Sequence, residues 1–78
     1  MDLVQLKYFV AVAEAGHLTN AAKKLNVAQP ALSVSIARLE KEVGVPLFDR
    51  VGRNISLNKF GEIYLEYAEQ ALDRIRKA

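Results

Sequence analysis

The stretch LTNAAKKLNVAQPALSVSIARLEKEVG, residues 18–44, decides the fold. Apolar residues recur at helical spacing in its first and last parts, which are separated by about four residues, 26–29. Ala21 and Ala22 stand where two helix backbones must approach each other closely. Two helices joined by so short a connection predict a helix-turn-helix.

The first of these two helices is short. His17 or Thr19 is its expected N-cap, and Asn26 suits the left-handed residue that ends a helix. Lys23 and Lys24 are expected to face outward. The buried stripe consists of Leu18, Ala22 and Leu25.

The second helix begins at Pro30, because a fixed φ and a missing N–H suit the first turn of a helix. Ala28 or Gln29 stands just before it, and the helix is expected to run to about Val43 and to end at Gly44. Its inward face consists of Leu32, Ile36, Leu39 and Val43.

The opposite face of this second helix is small, hydroxylic and basic, with Glu40 and Glu42 on its flanks at the C-terminal end. Such a face permits the close approach by which a recognition helix enters a major groove. A solvated face without a partner explains the same residues, so the helix alone leaves both interpretations open. The residues of this face are Pro30, Ser33, Val34, Ala37, Arg38 and Lys41.

A further helix is expected before this pair, over roughly residues 2–15. Asp2 and Gln5 have the spacing of a capping box, and Gly16 suits a left-handed stop. The apolar stripe of this helix consists of Leu3, Leu6, Phe9, Val10 and Ala13.

The sequence changes character after Pro46, which breaks the helix. Residues 47–51, a turn at 52–54 and residues 55–58 predict a short β-hairpin, because Ile55 and Leu57 alternate with polar neighbours. This hairpin is expected to form a wing beside the two helices.

The last helix is expected over residues 59–77, capped by Asn58, with a length of about 28 Å. Leu65 and Leu72 widen its apolar stripe beyond a third of the circumference, which is more than one small core can cover. A partner chain would cover the rest; the alternative is that both faces pack on the same domain. The stripe consists of Phe60, Tyr64, Tyr67, Ala68, Ala71 and Ile75.

Composition limits the classes of protein that remain. Seventy-eight residues with 51% hydrophobic and 26% charged side chains allow one small globular domain. The absence of cysteine excludes disulfides, and the single histidine leaves too few ligands for a zinc site. The chain has neither an apolar run of about 20 residues nor the pattern of a secretory signal, so we expect a cytoplasmic protein without a membrane contact.

Charge is concentrated in the middle of the chain. Residues 17–59 carry +4, whereas residues 1–16 and 60–78 carry −1 each. A basic middle is compatible with binding of nucleic acid and also with a merely solvated surface.

The whole chain closely resembles the N-terminal DNA-binding domain of LysR-type transcriptional regulators. The resemblance is specific because many separate motifs match at the correct spacing. These motifs are the pair Ala21 and Ala22, the run QPALS at 29–33, Leu39 with Glu40, the run GVPLF at 44–48, Arg50, Arg53, Leu57 and Gly61.

The resemblance implies a mainly α fold, a winged helix-turn-helix over residues 1–58, and a dimerisation helix over 59–78. It also implies that a C-terminal domain binds a small effector in the full protein; that domain is absent from these residues. The implied partners are double-stranded DNA, read as an inverted repeat, and a second copy of the chain. No cofactor is expected for this part.

The resemblance and the charge pattern together predict three sets of residues. The base contacts are Gln29, Pro30, Ser33, Val34 and Arg53. The phosphate contacts are Thr19, Asn20, Lys23, Arg38 and Arg50, with Lys24 and Lys59 also expected to affect affinity. The dimerisation residues are Tyr64, Leu65, Ala68, Leu72 and Ile75.

Several positions depart from the family pattern. Ala28 stands where serine is common, so Gln29 would have to cap the recognition helix. Val34 stands where arginine is frequent, which predicts less selectivity for guanine, because valine can only touch a thymine methyl group. His17 and Asn20 replace the usual serine and arginine, which weakens the expected phosphate contacts of the preceding helix.

Two other classes of function compete with this interpretation. A winged helix can bind another protein, in which case the basic face is incidental. A separate alternative concerns Arg50, which could brace the hairpin through a salt bridge with a neighbouring acid. An enzyme is disfavoured because Ser33 has no histidine in its motif and His17 has no acidic residue to orient it.

Overall fold

The computed structural model describes residues 2–77, which form four α-helices and one antiparallel hairpin. This is the mainly α winged helix-turn-helix that the sequence predicts. The elements are α1 (Leu3–Ala15), α2 (Leu18–Leu25), α3 (Gln29–Val43), β1 (Phe48–Val51), β2 (Asn54–Leu57) and α4 (Lys59–Lys77).

Helix α1 begins with only half of the predicted capping box. The Asp2 carboxylate accepts the N–H of Gln5 at 2.8 Å, as expected. The Gln5 side chain, however, does not return to the backbone of Asp2. It is buried, and its Nε2 donates to the carbonyl of Ser35 at 3.3 Å. Gln5 therefore ties α1 to α3.

The helix ends follow the local signals in the sequence. Asn26 ends α2 with φ of 58°, and Gly44 ends α3 with φ of 95°, both in the left-handed region. His17 is the N-cap of α2, and its Nδ1 accepts the N–H of Asn20 at 3.4 Å. Ala28 is the N-cap of α3 without a side-chain bond, and Gln29 is already helical, so the prediction that Gln29 caps α3 is wrong.

The core lies where α1, α2, α3 and the hairpin meet α4. The Phe9 ring joins the elements: it lies 5.4 Å from the Phe48 ring and meets the Tyr64 ring edge-on at 5.1 Å. The most deeply buried side chains are Phe9, Val12, Leu32, Ile36, Leu39 and Leu47.

Two residues assigned to the core from periodicity alone are exposed. Leu3 is 38% exposed because the buried side of α1 follows Gln5, Phe9 and Val12. Val43 is 39% exposed because it is the last residue of α3 and extends past the core. In both helices the residue that was wrongly predicted to be buried is a terminal residue of the helix.

The hairpin is fastened to the helices at both ends. The N–H of Ile55 donates to the carbonyl of Gly16, in the turn between α1 and α2, at 3.1 Å. At the other end, the Glu40 carboxylate accepts the N–H groups of Leu47 and Phe48 at 2.6 and 3.3 Å. The strand β1 begins at Phe48, so Leu47, which was predicted to start it, lies just before the strand.

Asn58 and Gly61 fix the start of α4. The Asn58 side chain accepts the N–H of Gly61 at 2.8 Å, which confirms the predicted cap, and donates to the carbonyl of Pro46 at 2.7 Å. A Cβ at position 61 would overlap the carbonyl oxygen of Leu47 and lie 2.8 Å from Cδ2 of Leu57. Only glycine fits this approach without a shift of the backbone.

Helix α4 uses one face for the core and leaves a second apolar face in water. Ala68 and Leu72 were predicted to contact a partner chain, but they are only 2% and 3% exposed. They pack within their own domain and offer a partner no surface. The apolar side chains of α4 that remain more than half exposed are Phe60, Ile63, Tyr67 and Ile75.

Among residues 2–77, no helix combines the length and apolar character needed to cross a membrane.

Candidate nucleic-acid interface

The outward face of α3 is exposed as predicted. Val34 is 51% exposed at its centre, and Ser33, predicted to contact a base, is half-buried at its edge. The remaining residues of this face are all exposed: Pro30, Ala37, Arg38 and Lys41. The face is therefore available to a partner, with cationic side chains toward its C-terminal part.

A cleft of about 480 Å³ separates the helix-turn-helix from the hairpin. It brings together four of the predicted contact residues from three parts of the chain. Two arginines and no carboxylate lie along it, so its charge favours an anion. The cleft is lined by His17, Leu18, Thr19, Gln29, Arg50, Gly52, Arg53, Asn54 and Ile55.

The register of the hairpin explains why the arginine and not the neighbouring acid lines this cleft. Arg50 pairs with Ile55, which is 3% exposed, and directly paired residues share one face of a hairpin. Asp49 pairs with exposed Ser56 on the other face. Arg53 lies in the turn between the two strands.

The proposed bracing role of Arg50 is wrong for the described residues. Within residues 2–77 the Arg50 guanidinium makes no ion pair, whereas Lys77 and Asp73 on α4 form one at 3.0 Å. Arg50 thus keeps its charge available to the cleft.

The other predicted phosphate-contact residues lie outside the cleft. Asn20 and Lys23 are exposed on α2, and Arg38 is exposed on α3. Lys24 and Lys59, expected to add to affinity, are exposed as well. Lys24 lines a different groove, between α1, α2 and α4. These residues therefore lie on separate elements and do not form one pocket with the cleft.

Sequence reasoning missed the role of Glu40. Its carboxylate is turned to the backbone N–H groups of Leu47 and Phe48, so the acid that was placed on the flank of α3 anchors the hairpin instead. The only available signal was a carboxylate near the C-terminus of a helix, where the helix dipole disfavours negative charge.

The described residues were also compared with what a metal centre requires. Among residues 2–77 no three histidine, cysteine or acidic side chains are grouped so as to hold a metal ion. Tyr64 lies outside the cleft, and burial, with a smaller contribution from the charge of Glu42, raises the pKa of its phenol above the usual 10.0. The cleft and the outward face of α3 can bind and position an anionic partner.

Comparison with known proteins gives a family match over most of the chain. Residues 3–62 match the model of the bacterial regulatory helix-turn-helix proteins of the lysR family. An uncharacterised HTH-type transcriptional regulator of Bacillus subtilis, YybE, is 60% identical over 65 residues, which are 83% of this chain and 22% of that protein. A probable cat1 operon transcriptional activator of Acinetobacter lwoffii is 49% identical over 99% of this chain and 25% of its own length. The chain thus spans about a quarter of the length of these curated relatives.

Solved structures show the same architecture. The DNA-binding domain of CbnR in complex with DNA superposes with a TM-score of 0.95 at 43% identity, over 99% of this chain and 88% of that one. The DNA-binding domain of BenM with benA site 1 DNA gives 0.94 at 40% identity, over 99% and 90%.

Proposed function

Because the chain belongs to the lysR family of bacterial helix-turn-helix regulatory proteins, we propose that it binds double-stranded DNA sequence-specifically, as part of a transcriptional regulator. The observation that carries this proposal is the cleft between helix and hairpin. There Thr19, Gln29, Arg50 and Arg53 lie together without a carboxylate, beside an exposed helix face of small and basic residues.

In this proposal α3 enters the major groove with its N-terminal end and outward face. A groove about 12 Å wide accepts one helix, and small side chains let the helix backbone approach the base edges. The base contacts are assigned to Gln29, Pro30, Ser33 and Val34. Arg53, in the hairpin turn, reaches the adjacent backbone or minor groove.

Phosphate contacts supply most of the affinity. Arg50 and Thr19 line the cleft, while Asn20, Lys23 and Arg38 are exposed on α2 and α3. In this proposal they engage the DNA backbone beside the groove that α3 enters. Such contacts position the protein without reading the sequence, whereas the base contacts discriminate between sequences.

Pairing of two chains is part of the proposal, with α4 as the dimerisation element beyond a DNA-binding unit of residues 1–58. The support is apolar area on α4 that its own core leaves open, at Phe60, Ile63, Tyr67 and Ile75. An apolar groove of about 250 Å³ continues this surface toward Val43 and Val45. Two chains held together in this way can place their α3 helices about 34 Å apart, which matches one turn of DNA and an inverted repeat.

The proposal excludes an enzymatic role and requires no cofactor for these residues. Its site of action is bacterial DNA, which places the protein in the cytoplasm. Any small effector would bind elsewhere in a longer protein.

Titration with duplex DNA at several salt concentrations tests the proposal. We expect the affinity to fall steeply with added salt, and the slope of log K against log salt to shrink by about 0.9 in Arg50→Ala and in Arg38→Ala. Arg76→Ala is the matched control, since Arg76 lies in a groove between α1 and α4, away from the hairpin. Duplex binding that ignores salt and both arginines would favour a protein-interaction module.

A further inference from the structure

Val34 leaves an apolar side chain in water at the centre of the outward face of α3. It is 51% exposed. The residues one helical turn away on either side are also exposed, and among them only the side chain of Arg38 can donate a hydrogen bond. These neighbours are Pro30, Ala31, Ala37 and Arg38. At Val34 the helix therefore offers methyl groups and shape, with no polar atom of its own.

The major groove contains few groups that suit such a side chain. Base edges present hydrogen-bond donors and acceptors, and the apolar exception is the methyl group on C5 of thymine. Cytosine methylated at C5 carries the same group at the same position of the ring. A valine that contacted guanine or adenine would cover their polar edges without a replacement hydrogen bond, which costs affinity.

We propose that Val34 contacts the C5 methyl group of a thymine in the major groove and sets the base preference at one position of each half-site. This inference rests on the proposed function, because it assumes that α3 enters the groove. It adds the chemical group that the centre of α3 reads.

The spacing along α3 places this thymine relative to another contact. Val34 follows Gln29 by five residues, which is about 7.5 Å along the helix axis. The thymine is therefore expected in the same half-site as the base that Gln29 contacts.

Replacement of single thymines by deoxyuridine tests the contact, because deoxyuridine lacks only the methyl group. Preferred duplexes are first selected from random sequence with the 78-residue chain, and each thymine is then replaced in turn. Loss of one buried methyl group corresponds to about fourfold weaker binding. We expect this loss at one position per half-site with the original chain and no loss there with Val34→Ala. Val4→Ala is the matched control, since Val4 is a valine on α1 that is 54% exposed.

A second arm separates the two sources of the methyl group. Cytosine and 5-methylcytosine are compared at the sensitive position, opposite guanine. Tighter binding of the methylated base shows that the methyl group alone is read. Equal binding, together with the deoxyuridine effect, shows a contact specific to thymine, and both results support the inference.

Two further results would count against it, and they differ from each other. If the chain binds selected duplexes in a salt-dependent way but no deoxyuridine position distinguishes it from Val34→Ala, the thymine contact is wrong and the proposed function stands. If the chain shows no salt-dependent binding to duplex DNA, the proposed function fails and the inference fails with it.

Discussion

Helices α3 and α4 both bury one face in the same small core, but the faces they leave in water differ. The free face of α3 carries small and basic side chains with one valine at its centre. The free face of α4 carries large apolar ones, among them Phe60, Ile63 and Tyr67. Burial therefore identifies the core of this domain, and the chemistry of each unburied face supports the partner that we propose for it: a polyanion for α3 and a second apolar surface for α4.

The largest effect is expected from a substitution that displaces α4 from the rest of the fold, because both of its faces then move. In Gly61→Ala the new methyl group overlaps the carbonyl of Leu47, so α4 must shift and the core beneath it must open. We expect a loss of about 3 kcal/mol in the free energy of unfolding, measured by urea denaturation. Glu62→Ala, at the next residue, is the control. A stability gain of about 1 kcal/mol, the ordinary effect of removing glycine from a helix, would contradict the close approach.

A charge on the free face of α4 tests its role directly. Ile63→Lys places an ammonium group in the proposed pairing surface, and we expect association to weaken by about 2–3 kcal/mol without loss of the folded monomer. Sedimentation equilibrium measures the dissociation constant. Glu69→Lys is the control, because it adds positive charge on a different side of α4. If the original chain stays monomeric at about 50 µM, the pairing surface is wrong.

The hydrogen bonds from the start of the hairpin to Glu40 on α3 can be removed without a substitution on the free face of α3 or of α4. In Glu40→Ala the N–H groups of Leu47 and Phe48 lose their acceptor, and we expect a loss of about 2 kcal/mol in unfolding free energy. Glu40→Gln retains one acceptor oxygen and should lose less. Lys41→Ala, on the outward face, should change stability little, and equal losses in all three variants would remove the assigned role of Glu40.

The smallest expected effect concerns pH. The raised pKa of Tyr64 means that the folded chain disfavours the phenolate, first because of burial and second because of the charge on Glu42. The associated stability is present below pH 10.0 and is lost as the pH rises through the higher pKa of the folded state. Between about pH 9 and about pH 11 the unfolding free energy of Tyr64→Phe should therefore fall less than that of Tyr67→Phe, whose tyrosine is 67% exposed in the original chain. Equal slopes would contradict the assignment.

Features that depend on neighbouring residues could be predicted from the sequence. The helix ends at Gly16, Asn26 and Gly44 and the cap at Asn58 were all predicted, because each involves atoms a few residues apart. The three buried residues of α3 were also predicted, because an interior turn of a helix repeats every 3.6 residues. Val43, at the end of α3, was predicted to be buried as well, but it is exposed.

Features that join distant elements could not be predicted in the same way. The Gln5 bond spans thirty residues to Ser35, and nothing in the local pattern of α1 indicates that partner. The sequence also did not show that Ala68 and Leu72 are buried in their own domain while Ile63 is exposed, because apolar periodicity does not show which face of α4 its own core already occupies. Gln29 and Arg53 were predicted as site residues, and both line the cleft. Which base or phosphate each of them contacts stays a prediction.

Three of the hydrogen bonds made by Asn58 join the hairpin directly to α4. Its side chain joins the carbonyl of Pro46 to the N–H of Gly61, and its own N–H donates to the carbonyl of Leu47 at 3.0 Å. Asn58 thus connects the residues that lead into β1 to the first turn of α4, the longest helix. Any displacement of α4 at its first turn therefore has to strain or break hydrogen bonds to the residues that lead into the hairpin.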